Sequence, residues 1–275
     1  NIIDKWILSK LNRLNQTVTQ AFEEYNFATA EQAIYDFVWH DFCDEYIEAV
    51  KYRLYEDIDS TSDAKYTLKT VIETTLALMA PITPFFADTV NQYLGNDSMA
   101  LHQGGWPELN DELINDDVEI VGSYAIDIID ELRRYKSSKG IPLNQPLNTV
   151  NIYTTDVEKV ELTIEDIKNT NKVDNITVVN GKPDLHEKVL AIEPVMSKVG
   201  PEFKQDAKKI IDYISNNNPE EIAKTLDEKG EVQVDNVAFT NEHITVVDSE
   251  LVSKTGEVVD ILKTEKYNIL LEVQQ

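Results

Sequence analysis

The feature that most constrains this chain is the stretch from Phe37 to Tyr55, which combines aromatic bulk, a short acidic run and a basic, tyrosine-rich end. Beginning shortly before it, apolar residues recur at every fourth position. This spacing predicts one long helix whose apolar stripe packs against neighbouring helices. The stripe consists of Ile34, Val38, Phe42, Tyr46, Val50 and Leu54.

The first half of the chain shows helical periodicity almost throughout. Thr29 is a plausible N-cap for the long helix, and residues 57–63 read as a polar loop. Pro81 ends one helix, and Pro84 suits the first position of the next, where its missing N–H costs nothing. The helices are predicted at residues 4–25, 29–55, 65–79, 84–95 and 117–139.

After Pro146, β-branched residues cluster in short runs separated by Asn, Gly and Pro. The predicted fold class is therefore α + (α+β), a helical bundle followed by a smaller α+β domain. The predicted domains are residues 1–115, a connecting helix and turn at 116–147, and an α+β domain at 148–275. In the last of these, strands are predicted at 148–153, 175–179, 189–195, 232–234, 244–247, 258–262 and 267–273, and helices at 157–172, 202–216 and 219–229.

The net charge of −25 limits what the protein can bind. Most of its surface repels nucleic acid, so any RNA contact must be local, and DNA is not expected as a partner. No apolar run approaches the length that spans a bilayer, so no membrane contact is expected. The single cysteine, Cys43, excludes an intramolecular disulfide and fits a cytoplasmic location.

No catalytic or metal site is predicted. His40, Cys43 and Asp44 have a helical spacing that imitates a metal site, but packing already explains this helix, and Cys43 reads as a small buried hydrophobe. The carboxylates of residues 111–117 read as a solvated acidic linker. Trp6 and Trp39 are predicted to lie in the core between helices.

Several separated segments resemble the anticodon-binding helical domain of class I aminoacyl-tRNA synthetases, and the resemblance is greatest to the valyl type. Residues 4–12 resemble the segment with which that domain leaves the catalytic core. The element from Phe37 to Tyr55 is the most valyl-like. Residues 80–88 resemble a turn with two prolines that valyl, isoleucyl and leucyl enzymes share, and residues 102–107 resemble the short tail that follows this turn. Residues 194–203 resemble, more weakly, a C-terminal segment of isoleucyl and valyl enzymes.

The resemblance implies that the chain is a piece of a longer ATP-dependent ligase, and its start without a methionine fits that expectation. The motifs of the catalytic core, resembling His-Ile-Gly-His and Lys-Met-Ser-Lys-Ser, are absent from this sequence. Residues 196–198 imitate part of the second motif in the wrong context. This part should therefore be inactive alone and bind no cofactor, while ATP and Mg would bind the parent core. Its expected partners are a tRNA, most plausibly tRNA-Val, and the catalytic and editing domains of the same parent chain.

Phe27, at the predicted break between the first two helices, and Lys10 and Arg13, on the preceding helix, are candidates for RNA binding. Unstacked bases in RNA loops are read by aromatic stacking and by hydrogen bonds to their edges. The alternative is that Phe27 staples two helices while both cations are solvated. A valyl identity would fix the last two anticodon bases as A and C, and the cytosine amino group would need an acceptor. Glu23, Glu24 and Glu31 are the candidates for it.

Two basic clusters are the candidates for contacts with the RNA backbone. Both stand at the ends of predicted helices, where cations also stabilise a helix through its dipole, so a purely structural role is the alternative. The cluster at residues 133–139 contains half of the arginines of the chain. The first cluster is Lys51, Tyr52 and Arg53 with Tyr55 nearby, and the second is Arg133, Arg134, Lys136 and Lys139.

The resemblance thus implies that the helical domain binds and orients the anticodon arm of a tRNA, as part of a valyl-type ligase (a valine-tRNA ligase) whose missing core performs aminoacylation. Two alternatives remain open. The chain could belong to an isoleucyl-tRNA synthetase, or it could be an acidic helical module that contacts proteins and no RNA. A salt-sensitive RNA-binding signal distinguishes the last of these from the other two.

Overall fold

The structure is a computed structural model, and it describes residues 1–55, 59–95 and 101–274. The chain divides into two compact units. The first contains residues 1–182 and 262–271, and the second contains residues 183–261 and the end of the chain from Glu272. Neither the predicted boundary at 115 nor that at 147 coincides with an edge of these units, so the domain limits stay a prediction.

The predicted helical bundle is confirmed and makes up most of the first unit. Asn26, and not Thr29, caps the second helix, because its side chain accepts a hydrogen bond from the backbone N–H of Thr29. The predicted loop at 57–63 lies partly outside the described residues, and its last part is already helical. The helices are α1 (Ile2–Glu23), α2 (Phe27–Asp36), a π-helix (Phe37–Tyr46), α3 (Ile47–Tyr55), α4 (Thr61–Met79), α5 (Pro84–Tyr93) and α6 (Asp116–Ser138).

The predicted helix from 29 to 55 is continuous, but its centre is a π-helix. A strict four-residue repeat exceeds the period of an α-helix, so in an α-helix the stripe would drift around the surface. A π-helix has more residues per turn. Phe37, Phe42, Tyr46 and Val50, separated by five, four and four positions, are all buried. The unusual period in the sequence and the local widening of the helix therefore agree.

The first helices run antiparallel. Asp4, near the start of α1, accepts hydrogen bonds from Arg53 near the end of α3, while Lys10 pairs with Asp41 in the π-helix. The end of α1 therefore lies with the start of α2, at one end of the bundle. The turn between α4 and α5 reaches the same end, because Ile82 lines a cavity with residues of α2. We call this end the tip.

The opposite end of the bundle, called the lower end, holds the start of α1 and the end of α3. Helix α6 runs antiparallel to α1, since Trp6 donates to Ser123 (3.2 Å) and Arg13 to Glu119 (2.7 Å). Gly122 fits against Trp6, where a Cβ atom would come within 2.4 Å of the indole. The last turn of α6 therefore lies at the lower end, beside the end of α3.

The remainder of the first unit confirms a small α/β segment after the bundle. Strands β1 and β2 pair in parallel, with Val150 opposite Ile176 and Ile152 opposite Val178. The single helix predicted at 157–172 is two short helices. The elements are β1 (Leu147–Thr154), α7 (Val157–Glu161), α8 (Ile164–Asn171) and β2 (Val173–Asn180). Two later strands, β7 (Val259–Lys263) and β8 (Leu270–Gln274), each include residues of both units.

The second unit packs three helices with two antiparallel strand pairs, β3–β6 and β4–β5. Its core contains Val199, Ile210, Ile214, Leu226 and Phe239, among others. No helix among the described residues of either unit is long and apolar enough to cross a membrane. The elements are β3 (Leu185–Pro194), α9 (Met196–Phe203), α10 (Ala207–Asn216), α11 (Pro219–Lys229), β4 (Val232–Val234), β5 (Val237–Phe239) and β6 (Ile244–Ser253).

Candidate nucleic-acid interface

Aromatic rings gather at the tip, where α1 gives way to α2. Phe27 is the first residue of α2, directly after its cap, and its side chain is half-exposed. Its ring lies 5.7 Å from that of Phe22 and 6.5 Å from that of Tyr25, which is 81% exposed. Trp106 meets the other side of Phe22 at 5.5 Å. Phe27 therefore contacts the neighbouring helix with one side and keeps a free side for a ligand.

The row of rings continues along the outer face of α2. Tyr35 and Trp39 follow Phe27 at eight and twelve positions, and each is 53% exposed. The prediction that Trp39 lies in the core is wrong, because Trp39 follows the inward-facing stripe by one residue and so turns outward. Trp6, in contrast, is fully buried as predicted.

A cavity of about 180 Å³ opens between this row and the turn from α4 to α5. Glu31 lines it together with Tyr35, which follows one helical turn later on α2. The other two candidate acceptors, Glu23 and Glu24, are exposed at the end of α1. The tip therefore presents rings and carboxylates together. The cavity is lined by Glu31, Ile34, Tyr35, Val38, Trp39, Met79, Ile82 and Thr83.

The two candidate cations on α1 are both in ion pairs. Lys10 pairs with Asp41, and its ammonium lies 4.9 Å from the centre of the Trp6 ring. Arg13 donates to Glu119 and Asp116 at the start of α6, and its hydrogen bond with Glu119 raises the pKa of Arg13. Both cations are partly exposed, so they can still meet a phosphate, but they also hold helices together.

Within the first basic cluster, two of the three predicted contacts are buried. Arg53 is completely buried and donates to both oxygens of Asp4 at 2.8 Å. Tyr52 is buried and donates to Asp166 at 2.8 Å, and burial raises the pKa of Tyr52. We therefore remove Tyr52 and Arg53 from the predicted RNA contacts, because their polar groups face the interior. Lys51 stays at the surface, paired with Glu48.

In the second cluster, Lys136 is completely buried. Its ammonium donates to the backbone carbonyls of Leu143, Gln145 and Asn171 at 3.1, 2.6 and 2.5 Å. Burial lowers the pKa of Lys136. Lys136 is therefore not available to contact RNA, because its ammonium donates to carbonyls of the turn after α6 and of the end of α8.

The other members of the second cluster are at the surface. Arg133 donates to Glu48 at 2.7 Å, so that Glu48 joins Arg133 and Lys51. Arg134 pairs with Glu131 at 3.1 Å and with Glu265. Lys139 is exposed, with its ammonium 5.7 Å from the centre of the Tyr135 ring.

The apparent metal-binding triplet forms no site in the part of the chain that the structure describes. His40 lies 3.7 Å from Asp44, and both side chains are largely exposed. Cys43 is only partly buried, and this burial raises the pKa of its thiol. Cys43, predicted to be a small buried hydrophobe, is therefore buried only in part.

The structure does not bring all the predicted RNA-binding residues together. Phe27 lies at the tip, whereas Lys51 lies 24 positions further along the same continuous helix, roughly 35 Å away at 1.5 Å per residue. Sequence reasoning missed Tyr25 and Tyr35, and it assigned Trp39 to the core. The spacing of four between Glu31, Tyr35 and Trp39, one position after the buried stripe, was the available signal.

Comparison with known proteins identifies the family. The model of the family described as anticodon-binding domain of tRNA ligase matches residues 4–152, more than half of the chain. The valine-tRNA ligase of Methanothermobacter thermautotrophicus is 41% identical over 98% of this chain, which corresponds to 31% of that protein. Those of Methanocaldococcus jannaschii and Methanococcus maripaludis are 40% and 38% identical over 96% and 94% of this chain, each with 30% of the relative covered.

The chain thus spans about a third of the length of the curated relatives it matches. The similarity to them extends through both units, and the family match covers the helical bundle together with the connection to β1. This chain belongs to the family of anticodon-binding domains of tRNA ligases.

Proposed function

We propose that the tip of the helical bundle binds the anticodon loop of a tRNA, specifically tRNA-Val, as the anticodon-binding part of a valine-tRNA ligase. The observation that carries this proposal is the exposed row of Phe27, Tyr35 and Trp39 beside Glu31. Large rings are costly to leave in water, and single-stranded bases are the partners that stack on them. The valine-tRNA ligases that are similar along the whole chain support tRNA-Val over tRNA-Ile.

The carboxylates of the tip explain how an acidic protein can read a base. The exocyclic amino group of cytosine is a donor, and carboxylates accept from it. A cytosine stacked against Tyr35 would present that group to Glu31. Because the tip is acidic, the attraction for the RNA backbone has to come from other parts of the chain.

The activity of the whole ligase is outside this part of the chain. We propose that ATP and Mg bind the catalytic core of the parent, that the present chain binds no cofactor, and that the protein acts in the cytoplasm. The described residues of the bundle would fix the far end of the tRNA, so that the acceptor end reaches the active site more often.

A binding titration with a tRNA-Val transcript tests the proposal. Tyr35→Ala should weaken binding by about 1–3 kcal/mol, the contribution of one stacked base. Tyr66→Ala is the control, because Tyr66 is another exposed tyrosine (69%, against 53% for Tyr35) and lies in the first half of α4, away from the tip.

A transcript in which the last anticodon base is changed from C to U should lose affinity for the wild type, and Glu31→Gln should reduce that discrimination. Equal effects of Tyr35→Ala and Tyr66→Ala would contradict the proposal. Preference for tRNA-Ile would support an isoleucyl identity, and the absence of a salt-sensitive signal with either tRNA would support a protein-interaction module.

A further inference from the structure

A second cavity, of about 330 Å³, lies at the lower end of the bundle. It is formed where α3, α6 and α8 end, together with the turn after α6. Lys51, Arg133 and Lys172 line it, with the amide side chains of Asn144 and Asn169. Tyr55, whose side chain is 82% exposed, stands at its edge. All these residues belong to the first unit.

The charge of this cavity is opposite to that of the protein. Four cations line it, including the buried Lys136, against the single carboxylate of Glu48. In a chain with a net charge of −25, such a local excess is unusual and attracts anions. Glu48 does not cancel this excess, because it is shared between Lys51 and Arg133 and orients both.

The C-terminal carbonyls of a helix repel anions, and three helix C-termini form this cavity. An anion can therefore bind here only if other groups neutralise those carbonyls. The ammonium of Lys136 accounts for three nearby carbonyls, including that of Asn171 at the end of α8. With those carbonyls satisfied from inside, the outer cations do not need to cap them. Lys51 and Arg133, which both pair with Glu48, are therefore not needed to satisfy these three carbonyls.

A second depression of about 320 Å³ adjoins the first and shares Asn169 and Lys172 with it. It adds Lys168 to the cations and Asp174 to the carboxylates. The two depressions together form an elongated surface that is lined by five cations and two carboxylates. An isolated phosphate would fill a small part of 330 Å³, which is the volume of a site for a drug-sized molecule. A chain of phosphates matches an elongated basic surface better.

We propose that this basic cavity binds the phosphate backbone of the same RNA whose loop occupies the tip, with Tyr55 against a sugar or base. This inference rests on the proposed function and adds a second contact point. The cavity lies roughly 35 Å from Phe27 along the α2–α3 helix. The bundle would then bind only an RNA arm that extends far enough from its loop to reach both places.

The double variant Lys51→Gln/Lys172→Asn tests the cavity. Asparagine is chosen at position 172 because Lys172 has a left-handed backbone (φ 53°), which asparagine tolerates well. Lys224→Gln is the control, since Lys224 is an exposed lysine of α11 in the second unit. Thermal unfolding of each variant verifies that the fold is intact.

Two RNAs are compared: a tRNA-Val transcript, and a hairpin with the same anticodon loop on three base pairs. At about 3.4 Å per base pair, the short stem adds only about 10 Å to the loop and does not reach the cavity. The double variant should bind the transcript about ten-fold more weakly at 0.1 M salt, with a salt slope smaller by about 1.5, as expected for two lost phosphate contacts. Its affinity for the short hairpin should equal that of the wild type.

Unchanged binding of the transcript by the double variant, or an equal loss with both RNAs, would overturn the proposed cavity function. The proposed function at the tip is judged separately, from the affinity of the wild type for the short hairpin and its dependence on Tyr35. If the wild type binds the short hairpin and the double variant binds the transcript as tightly as the wild type does, the proposed function of the cavity is wrong, while the proposed function of the tip still holds.

Discussion

The two ends of the helical bundle treat their side chains in opposite ways. At the tip, Phe27, Tyr35 and Trp39 leave about half of their surface in water. At the lower end, the charged groups of Arg53 and Lys136 are buried. The exposed half of each ring gains nothing for the fold, whereas a buried charge is tolerated only if its partners are complete. The position of a side chain, more than its type, therefore decides whether it serves binding or stability.

The lower end illustrates this with Arg53. Its guanidinium meets Asp4 with two hydrogen bonds, while Tyr46 donates to the same carboxylate at 2.8 Å. Ser60 accepts two further hydrogen bonds from Arg53, one through its hydroxyl and one through its carbonyl oxygen. The network joins α1, the π-helix, α3 and the start of α4, so it fixes how the helices meet at this end.

The largest effect is expected for Arg53→Met. It should lower the free energy of unfolding by about 3–5 kcal/mol, because Asp4 would remain buried without its cation. Urea unfolding measures this change. Arg134→Met serves as the control, because Arg134 is half-exposed and should change stability by less than about 0.5 kcal/mol. If both variants lose the same free energy of unfolding, burial does not distinguish Arg53 from the surface residue Arg134.

A smaller loss, about 2–3 kcal/mol, is expected for Lys136→Met, since three carbonyls would lose their donor. The matched variant is Lys139→Met on the exposed side of the same helix end. Urea unfolding of both proteins decides. If Lys139→Met lowers the free energy of unfolding more than Lys136→Met does, the exposed residues of the second cluster stabilise the fold more than the buried Lys136.

At the tip the expectation is reversed. Trp39→Ala should lower the free energy of unfolding by only about 1–2 kcal/mol, less than Arg53→Met, because half of the ring is already in water. It should weaken binding of tRNA-Val by about 1–3 kcal/mol. Parallel urea unfolding and RNA titration measure both quantities. A loss of stability as large as that of a fully buried residue would show that Trp39 serves the fold and not only binding.

The smallest effect concerns Asp130 on α6. Burial, with the nearby charge of Glu45, raises the pKa of Asp130 to about 6. The folded protein therefore holds this proton more tightly than the unfolded chain, so stability falls as the pH rises from about 4 to 6. Asp130→Asn should raise the free energy of unfolding at pH 7 by about 1 kcal/mol, a value reduced for solvent screening.

Urea unfolding at pH 4.5 and pH 7 tests this expectation. The gain of Asp130→Asn should be present at pH 7 and shrink at pH 4.5, where the wild-type carboxyl is already protonated. Asp227→Asn, at an exposed position of α11, is the control and should show neither change. A destabilised Asp130→Asn protein at pH 7 would mean that the ionised carboxylate is needed where it lies.

Much of the fold was predictable because local patterns carry it. Pro84 begins α5 and Gly95 follows its end, as predicted from the backbone preferences of these residues. The errors arose where a pattern has two solutions. Asn26 competes with Thr29 as a cap, and only the path of the chain between α1 and α2 selects one of them.

The sequence by itself determined the helical bundle, the change to strands after Pro146 and the resemblance to tRNA ligases, because periodicity, turn residues and motifs are local properties. Only the tertiary structure decided that Arg53 and Lys136 face inward, that Trp39 faces outward, and that Lys172 joins Lys51 across 121 positions of sequence. Burial depends on which helices pack together. A single sequence shows the cations and rings that are available, but not which of them the fold keeps for itself.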